Sequence, residues 1–182
     1  TNVHLFGFIA GYQKRTYKDE DPVNIEAAER MGRLHDRLEE AGYTDHALEV
    51  YLVRVLFCLF AEDTGIFERT QFQELVDSYT KPDGNDLALQ LAQLFQTLNT
   101  PPDKRFKTLD ETLAAFPYVN GKLFEENLPL AAFDTKMREN LLWCCALDWS
   151  KISPAIFGSM FQAVMNPKER RNLGAHYTSE KN

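Results

Sequence analysis

Val50-Tyr51-Leu52-Val53-Arg54-Val55-Leu56-Phe57-Cys58-Leu59-Phe60-Ala61 is the longest apolar stretch of the chain, and its reading decides the fold. It carries Arg54 and is much shorter than the roughly 20 residues that a membrane-spanning helix requires, so it reads as a core helix. Val50, Val53, Leu56, Phe57, Leu59 and Phe60 surround most of a helical circumference, which implies burial on several sides. Thr44 or Asp45 can cap this central helix and Gly65 can end it.

Working outward, Ile25, Ala28, Met31, Leu34, Leu38 and Ala41 recur in steps of three and four, the signature of one apolar helical face, with Pro22 at its start and Gly42 at its stop. Downstream, Thr70-Gln71-Phe72-Gln73 has capping-box spacing before a helix carrying Leu75, Val76 and Tyr79, and Pro82-Asp83-Gly84-Asn85 is a turn cluster. Leu87, Leu91, Leu94, Phe95 and Leu98 mark another helix, which Pro101-Pro102 prevents from continuing. Thr108-Leu109-Asp110-Glu111 repeats the capping-box logic before a short helix ending near Phe116-Pro117. Asn120-Gly121, between Tyr118-Val119 and Leu123-Phe124, signals a hairpin or a tight turn.

Asp134 or Thr135 opens a helix through Met137, Leu141, Leu142, Cys145 and Leu147, after which Trp149 marks a loop. Ser153-Pro154 and Asn166-Pro167 begin two more, the second with Gly174 as its stop. The expected fold is all-α, an irregular bundle of about seven or eight helices with one candidate β-hairpin at 118–124. Neither βαβ alternation nor a periodic repeat occurs.

The organisation expected is a tail or linker at residues 1–20, a helical body at 21–165 and the start of another domain at 166–182. Leu5, Phe6, Phe8 and Ile9 read as the end of a preceding domain or a strap, and the mixed charges from Lys14 to Asp21 as a solvated linker. Thr1 stands where an initiator Met would, no signal-peptide charge pattern follows, and Glu180-Lys181-Asn182 does not resemble a natural terminus, so a segment of a longer protein is expected.

The 182 residues, 44% of them hydrophobic, suffice for one well-filled core. Lys and Arg number 20 against 27 Asp and Glu, a formal charge of -7 that argues against strong nonspecific phosphate binding by the chain as a whole. Any contact with DNA must be local. Cys58, Cys144 and Cys145 lie in apolar helical sequence without disulfide spacing, which fits a reducing cytoplasm and core thiols.

Glu62 and Asp63 invite a metal or acid–base reading, which would require a divalent cation at the pair. Neighbours on a helix point in different directions, however, and no second acidic pair lies at ligand spacing. Two anions near a helix C-terminus oppose its macrodipole, so a structural role requires them to meet a cation or another helix's N-terminus. His4, His35, His46 and His176 are scattered, no Cys or His pair has zinc spacing, and neither Gly-x-Ser-x-Gly nor a Walker loop occurs. No catalytic residue and no metal ligand is assigned. Residues 166–182 carry Lys168, Arg170, Arg171 and Lys181 against Glu169 and Glu180, a formal +2 in a chain of -7. That reversal serves phosphate, an acidic neighbour or simply a solvated helix face.

Gly174-Ala175-His176-Tyr177-Thr178-Ser179 resembles the Gly-x-(Phe/His)-Tyr-Thr-(Pro/Ser) start of motif X in amino-methylating DNA methyltransferases of the N6-adenine type. Three upstream stretches, Arg54 to Phe67, Tyr118 to Phe124 and Asp148 to Gly158, resemble the helical spacer of MmeI-like single-chain bacterial Type II restriction-modification enzymes. The resemblance covers nearly the whole chain, with four stretches in the expected order. It implies a connector between a nuclease and a methyltransferase domain, with residues 1–20 leaving the nuclease. It also implies that Gly174, His176, Tyr177 and Thr178 lie beside the methionine end of S-adenosylmethionine in the full-length parent, while Ser179 replaces the family's common Pro. Lys168, Arg170 and Arg171 become candidate contacts to the DNA backbone.

The chain contains neither Phe-x-Gly-x-Gly nor the Asn/Asp-Pro-Pro-Tyr/Phe loop that clamps a flipped adenine; Thr100-Pro101-Pro102-Asp103 lacks both the amide and the stacking aromatic. An Asp…Glu-x-Lys nuclease arrangement is also missing. The expectation is a connector that binds no cofactor by itself and neither methylates nor cuts DNA. Its expected partners are DNA, through the whole enzyme, and the flanking domains, with no membrane. The alternative is a protein-interaction adaptor in a modification-only phage-defence methyltransferase.

Overall fold

The computed structural model describes residues 22–152, together with Gly158. Among these the chain is all-α, with no strand. The helices are α1 (Pro22–Glu40), α2 (Asp45–Asp63), α3 (Gln71–Ser78), α4 (Leu87–Leu98), α5 (Glu111–Ala114) and α6 (Thr135–Cys145), with 3-10 turns at Pro102–Lys104 and Trp149–Lys151. The helices expected after Pro154 and Pro167 lie outside the described residues.

In α1 the predicted stripe Ile25, Ala28, Met31, Leu34 and Leu38 is buried against α2 and α6, whereas Ala41, counted as its last member, is exposed past the end of the helix. Each large apolar side chain so buried contributes about 1.5–3 kcal/mol relative to exposure. Gly42, at φ 99°, ends the helix in a Schellman arrangement: Tyr43 N donates to Leu38 O (2.9 Å) and Gly42 N to Glu39 O (3.0 Å). The central helix α2 is buried along nearly its whole length, from Leu48 to Glu62, as its all-round apolar pattern required. Thr44 precedes it without a side-chain capping bond and donates instead to the Asp45 carboxylate.

Several local expectations are corrected. Thr70 does not close a capping box: it is left-handed, at φ 61°, makes no side-chain cap, and its hydroxyl donates to Arg69 O. Tyr79, counted on the apolar face of α3, is exposed at its C-cap. The short helix α5 is capped by Asp110, which accepts from Thr112 N (2.8 Å), and not by Thr108. Residues 118–124 form no hairpin. An Asn-Gly turn makes one only when its flanks pair with each other, and here both flanks are taken elsewhere. Val119 N donates to Leu98 O at the end of α4 (2.8 Å), while Leu123 and Phe124 enter the core.

Asp134 caps α6 as expected, accepting from Met137 N (2.8 Å). Trp149, expected to mark a loop after α6, lies fully buried in a 3-10 turn there, its indole N–H donating to Cys144 O (2.8 Å). Gly84 sits at φ 74°, where a Cβ would lie 2.5 Å from Asp134 O. The turn before α4 therefore seats directly on the backbone that starts α6.

Candidate functional site

The residues expected to hold cofactor, Gly174, His176, Tyr177 and Thr178, and those expected at DNA, Lys168, Arg170 and Arg171, lie outside the described residues. Within them, the charged groups that are buried do one kind of work: they bind backbone ends that the core would otherwise leave unpaired.

Helix α3 is held at both ends. Glu62, buried in the last turn of α2, accepts from Gln73 N at the N-terminus of α3 (3.0 Å). Its neighbour Asp63 accepts from Trp149 N at the second 3-10 turn (2.8 Å). The two carboxyl groups thus meet the N–H groups at the starts of other elements, the resolution that the macrodipole argument required. At the far end of α3, buried Arg138 from α6 donates to Thr80 Oγ1 (3.0 Å), Val76 O (3.3 Å) and Asp77 O (3.0 Å). Burial pushes the Glu62 carboxyl up to about 7, although the N–H groups of Gln73 and Phe72 pull against that rise. Burial likewise raises Asp63, opposed by its bond from Trp149.

Arg54 does for a loop what Arg138 does for a helix. From the middle of α2 its Nε donates to Leu123 O (2.9 Å) and a terminal nitrogen to Glu126 O (2.7 Å). The guanidinium lies 5.5 Å from the Phe95 ring centroid and 5.6 Å from that of Phe124. Arg105 donates to Thr97 O, Thr100 O, Ala114 O and Phe116 O, tying the end of α4 to the end of α5. Arg30 crosses from α1 to α6, donating to Trp143 O, with its guanidinium 4.6 Å from the Trp143 ring centroid. Sequence reasoning missed these arginines; Arg54, a lone cation inside the most apolar stretch, was the one available signal.

No group of three His, Cys, Asp or Glu residues that could hold a metal occurs among the described residues. His35 is buried and bonded to Asp36 (2.9 Å), while His46 is exposed and faces Glu126 (3.0 Å). All three cysteines are buried and unbridged, and burial pushes the Cys144 thiol up to about 12, so these are inert core thiols. Among the described residues no helix is long and apolar enough to cross a membrane. Taken together, these groups stiffen the body and join its elements.

The family model described as the MmeI helicase spacer domain matches residues 46–124, and that of the MmeI N-terminal domain matches residues 1–41. The chain belongs to the MmeI family. A solved structure of the Type IIL restriction-modification enzyme MmeI in complex with DNA is 66% identical, with a TM-score of 0.75 over 86% of this chain and 21% of that one. DNA methyltransferase A of Bacillus subtilis (strain 168) is 42% identical over 94% of this chain and 20% of its own length. A protein of Methanocaldococcus jannaschii named for a type II restriction enzyme and methyltransferase is 26% identical over 70% of this chain and 13% of its own. The chain therefore spans a fifth or less of these two relatives. Within the MmeI frame, α1 falls inside the N-terminal match, yet it packs on α2 and α6 of the helical body.

Proposed function

We propose that the chain is the rigid helical connector of a DNA restriction-modification enzyme, joining an N-terminal nuclease-side module to a methyltransferase and supplying no catalytic group itself. One observation carries the reading: α1, the end of the segment matched to the N-terminal domain, buries its apolar stripe against α2 and α6, so the chain coming from that side is built into the core of the helical body. A flexible linker would bury no such stripe. The clamps at Glu62, Arg54 and Arg138 fit the same role, since each ties one element to another across the body.

On this reading residues 1–20 leave the nuclease side, 21–165 form the spacer and 166–182 enter the methyltransferase. The parent works in the cytoplasm and methylates adenine with S-adenosylmethionine, whose methionine end lies beside Gly174, His176, Tyr177 and Thr178. Lys168, Arg170 and Arg171 touch DNA backbone at that junction. Calorimetry with S-adenosylmethionine tests this on the chain alone and on a version extended through the methyltransferase. Binding by the extended version only, weakened by Tyr177→Ala or Thr178→Ala, is expected; binding by the chain alone would overturn the connector reading.

A second reading, a modification-only parent in which the helical body is a protein adaptor, is favoured by the B. subtilis relative, whose name mentions methylation alone. Incubating the parent with unmethylated DNA, magnesium and S-adenosylmethionine separates the two: cleavage products exclude the modification-only parent, whereas methylation without cleavage supports it.

A further inference from the structure

We propose that the hollow between α4 and the segment at residues 124–131 is a binding site for a singly charged carboxylate with a short apolar body, its charged end held by the Arg54 guanidinium and the Tyr51 hydroxyl. The site is additional to the connector role and does not depend on it.

Two groups here have needs that the described residues leave unmet. Arg54 is only 3% exposed, and no carboxylate pairs with it among the described residues. Of its guanidinium donors, one goes to Leu123 O and one to Glu126 O, both neutral carbonyls, and the others meet no acceptor there. A buried cation without a counter-anion is costly, because carbonyls and rings replace only part of its hydration. Tyr51 stands one helical turn before Arg54 in α2, is 4% exposed, and its hydroxyl has no hydrogen-bond partner. A phenol buried in this way ordinarily finds one. Both side chains line the same hollow, of about 410 Å³, a size suited to a small ligand.

The lining selects the ligand. Ala88, Ala92, Phe95, Phe124 and Leu130 supply apolar wall, with Leu130 left bare on the loop side. Glu125 and Glu126 line the hollow too, so its total charge is not positive. Depth separates the charges. Both glutamates are exposed to screening water, and the Glu126 carboxylate is engaged with His46 Nε2 (3.0 Å), whereas Arg54 lies in the low-dielectric interior. A buried cation behind exposed anions fits a ligand that is anionic at one end only and carries a single charge there. Phosphate carries more charge than one guanidinium balances, and a nucleic acid brings further charges to the exposed glutamates. A neutral amide would leave the guanidinium uncompensated. The carboxylate comes either from a free small molecule or from an Asp or Glu side chain elsewhere in the full-length protein, and its chemistry at the site is the same.

Arg54→Met is a poor test, because it also frees the loop at Leu123 and Glu126. The informative variants of the full-length protein are Tyr51→Phe, which removes only the unpartnered oxygen, and Ala92→Leu, which narrows the hollow from an exposed position on α4. The probe is 3-methylbutanoate, with 3-methylbutanamide as its neutral counterpart, and binding is read by saturation transfer to the probe's methyl protons. If the site takes a free carboxylate, the anion binds and the amide binds at least about tenfold more weakly. Tyr51→Phe then lowers affinity for the anion about tenfold, and Ala92→Leu abolishes binding. If a side chain of the protein already fills the site, neither probe binds and both variants lower the melting temperature, since each disturbs a seated carboxylate. Amide binding as tight as the anion's, or anion binding that survives Ala92→Leu, overturns the proposal. So does failure of both probes with Tyr51→Phe neutral or stabilising, the mark of a hydroxyl that nothing occupies. Failure of both probes with Tyr51→Phe alone destabilising assigns the hydroxyl to ordered water and overturns it equally.

Discussion

Two regions of this molecule solve the same physical problem by different means. From Pro22 to Leu98 the backbone is mostly helix, and its N–H and C=O groups are satisfied along each helix axis. From Asn99 to Asp134 only one α-helical turn and one 3-10 turn occur, yet Leu113, Phe116, Leu123, Phe124 and Phe133 are core residues. A chain that enters a core without regular structure needs side-chain partners for its carbonyls, and here two arginines, Arg54 from α2 and Arg105 from within the segment, provide them. The difference teaches that an arginine placed under an irregular segment can stand in for missing secondary structure, because its five donors fan out in a fixed plane.

The strongest way to break this comparison is Arg54→Met, which keeps approximate volume but removes both donors. It should lose roughly 2–4 kcal/mol, since Leu123 O and Glu126 O lose their partners and part of that cost is the desolvation of a buried acceptor. Chemical denaturation reads the loss directly; a variant as stable as the parent would mean that the loop holds itself. Next in size is Gly84→Ala, expected to cost roughly 2 kcal/mol from a positive φ combined with a Cβ placed 2.5 Å from Asp134 O. Thermal melts would show it, and an unchanged midpoint would mean that the turn and the start of α6 can part freely.

The third prediction sharpens the helical side. Because Glu62 is held near 7 in the fold against an ordinary 4.5, the folded state keeps a proton that the unfolded chain releases. Its contribution is therefore fully present below about 4.5 and is lost as pH rises through about 7. Glu62→Gln retains an acceptor for Gln73 N and removes the titration, so the stability difference between variant and parent should move in the variant's favour from pH 4 to pH 8. A difference that stays constant over that window would show that Glu62 does not hold this proton in the fold.

Legibility in the sequence followed the range of the interaction. The stop at Gly42, the cap at Asp134 and the all-round burial of α2 were readable because each depends on neighbours a few residues away. The need for partners at Glu62 and Asp63 was readable too, from the helix dipole, but their identities, Gln73 N and Trp149 N, were not. Capping boxes at Thr70 and Thr108 misled because a competing partner was present: Glu62 already holds the N–H that a Thr70 cap would address, and Asp110 lies nearer to the start of α5. The hairpin signal at Asn120-Gly121 failed because α4 and Arg54 claim the groups that the two flanks would have exchanged.

By itself the sequence determined the all-α class, the central position of the Val50–Ala61 helix, the inert setting of the cysteines and, by resemblance, membership in the MmeI family. All of these are carried by short-range periodicity or by local motifs. Tertiary structure alone decided that α1 packs into the spacer core, that buried charges seal α3 at both ends, and that Arg105 secures the loop from which Phe106 projects. Those outcomes depend on which distant backbone ends come to lie beside which charged side chain, and such meetings are set by the packing of the whole core.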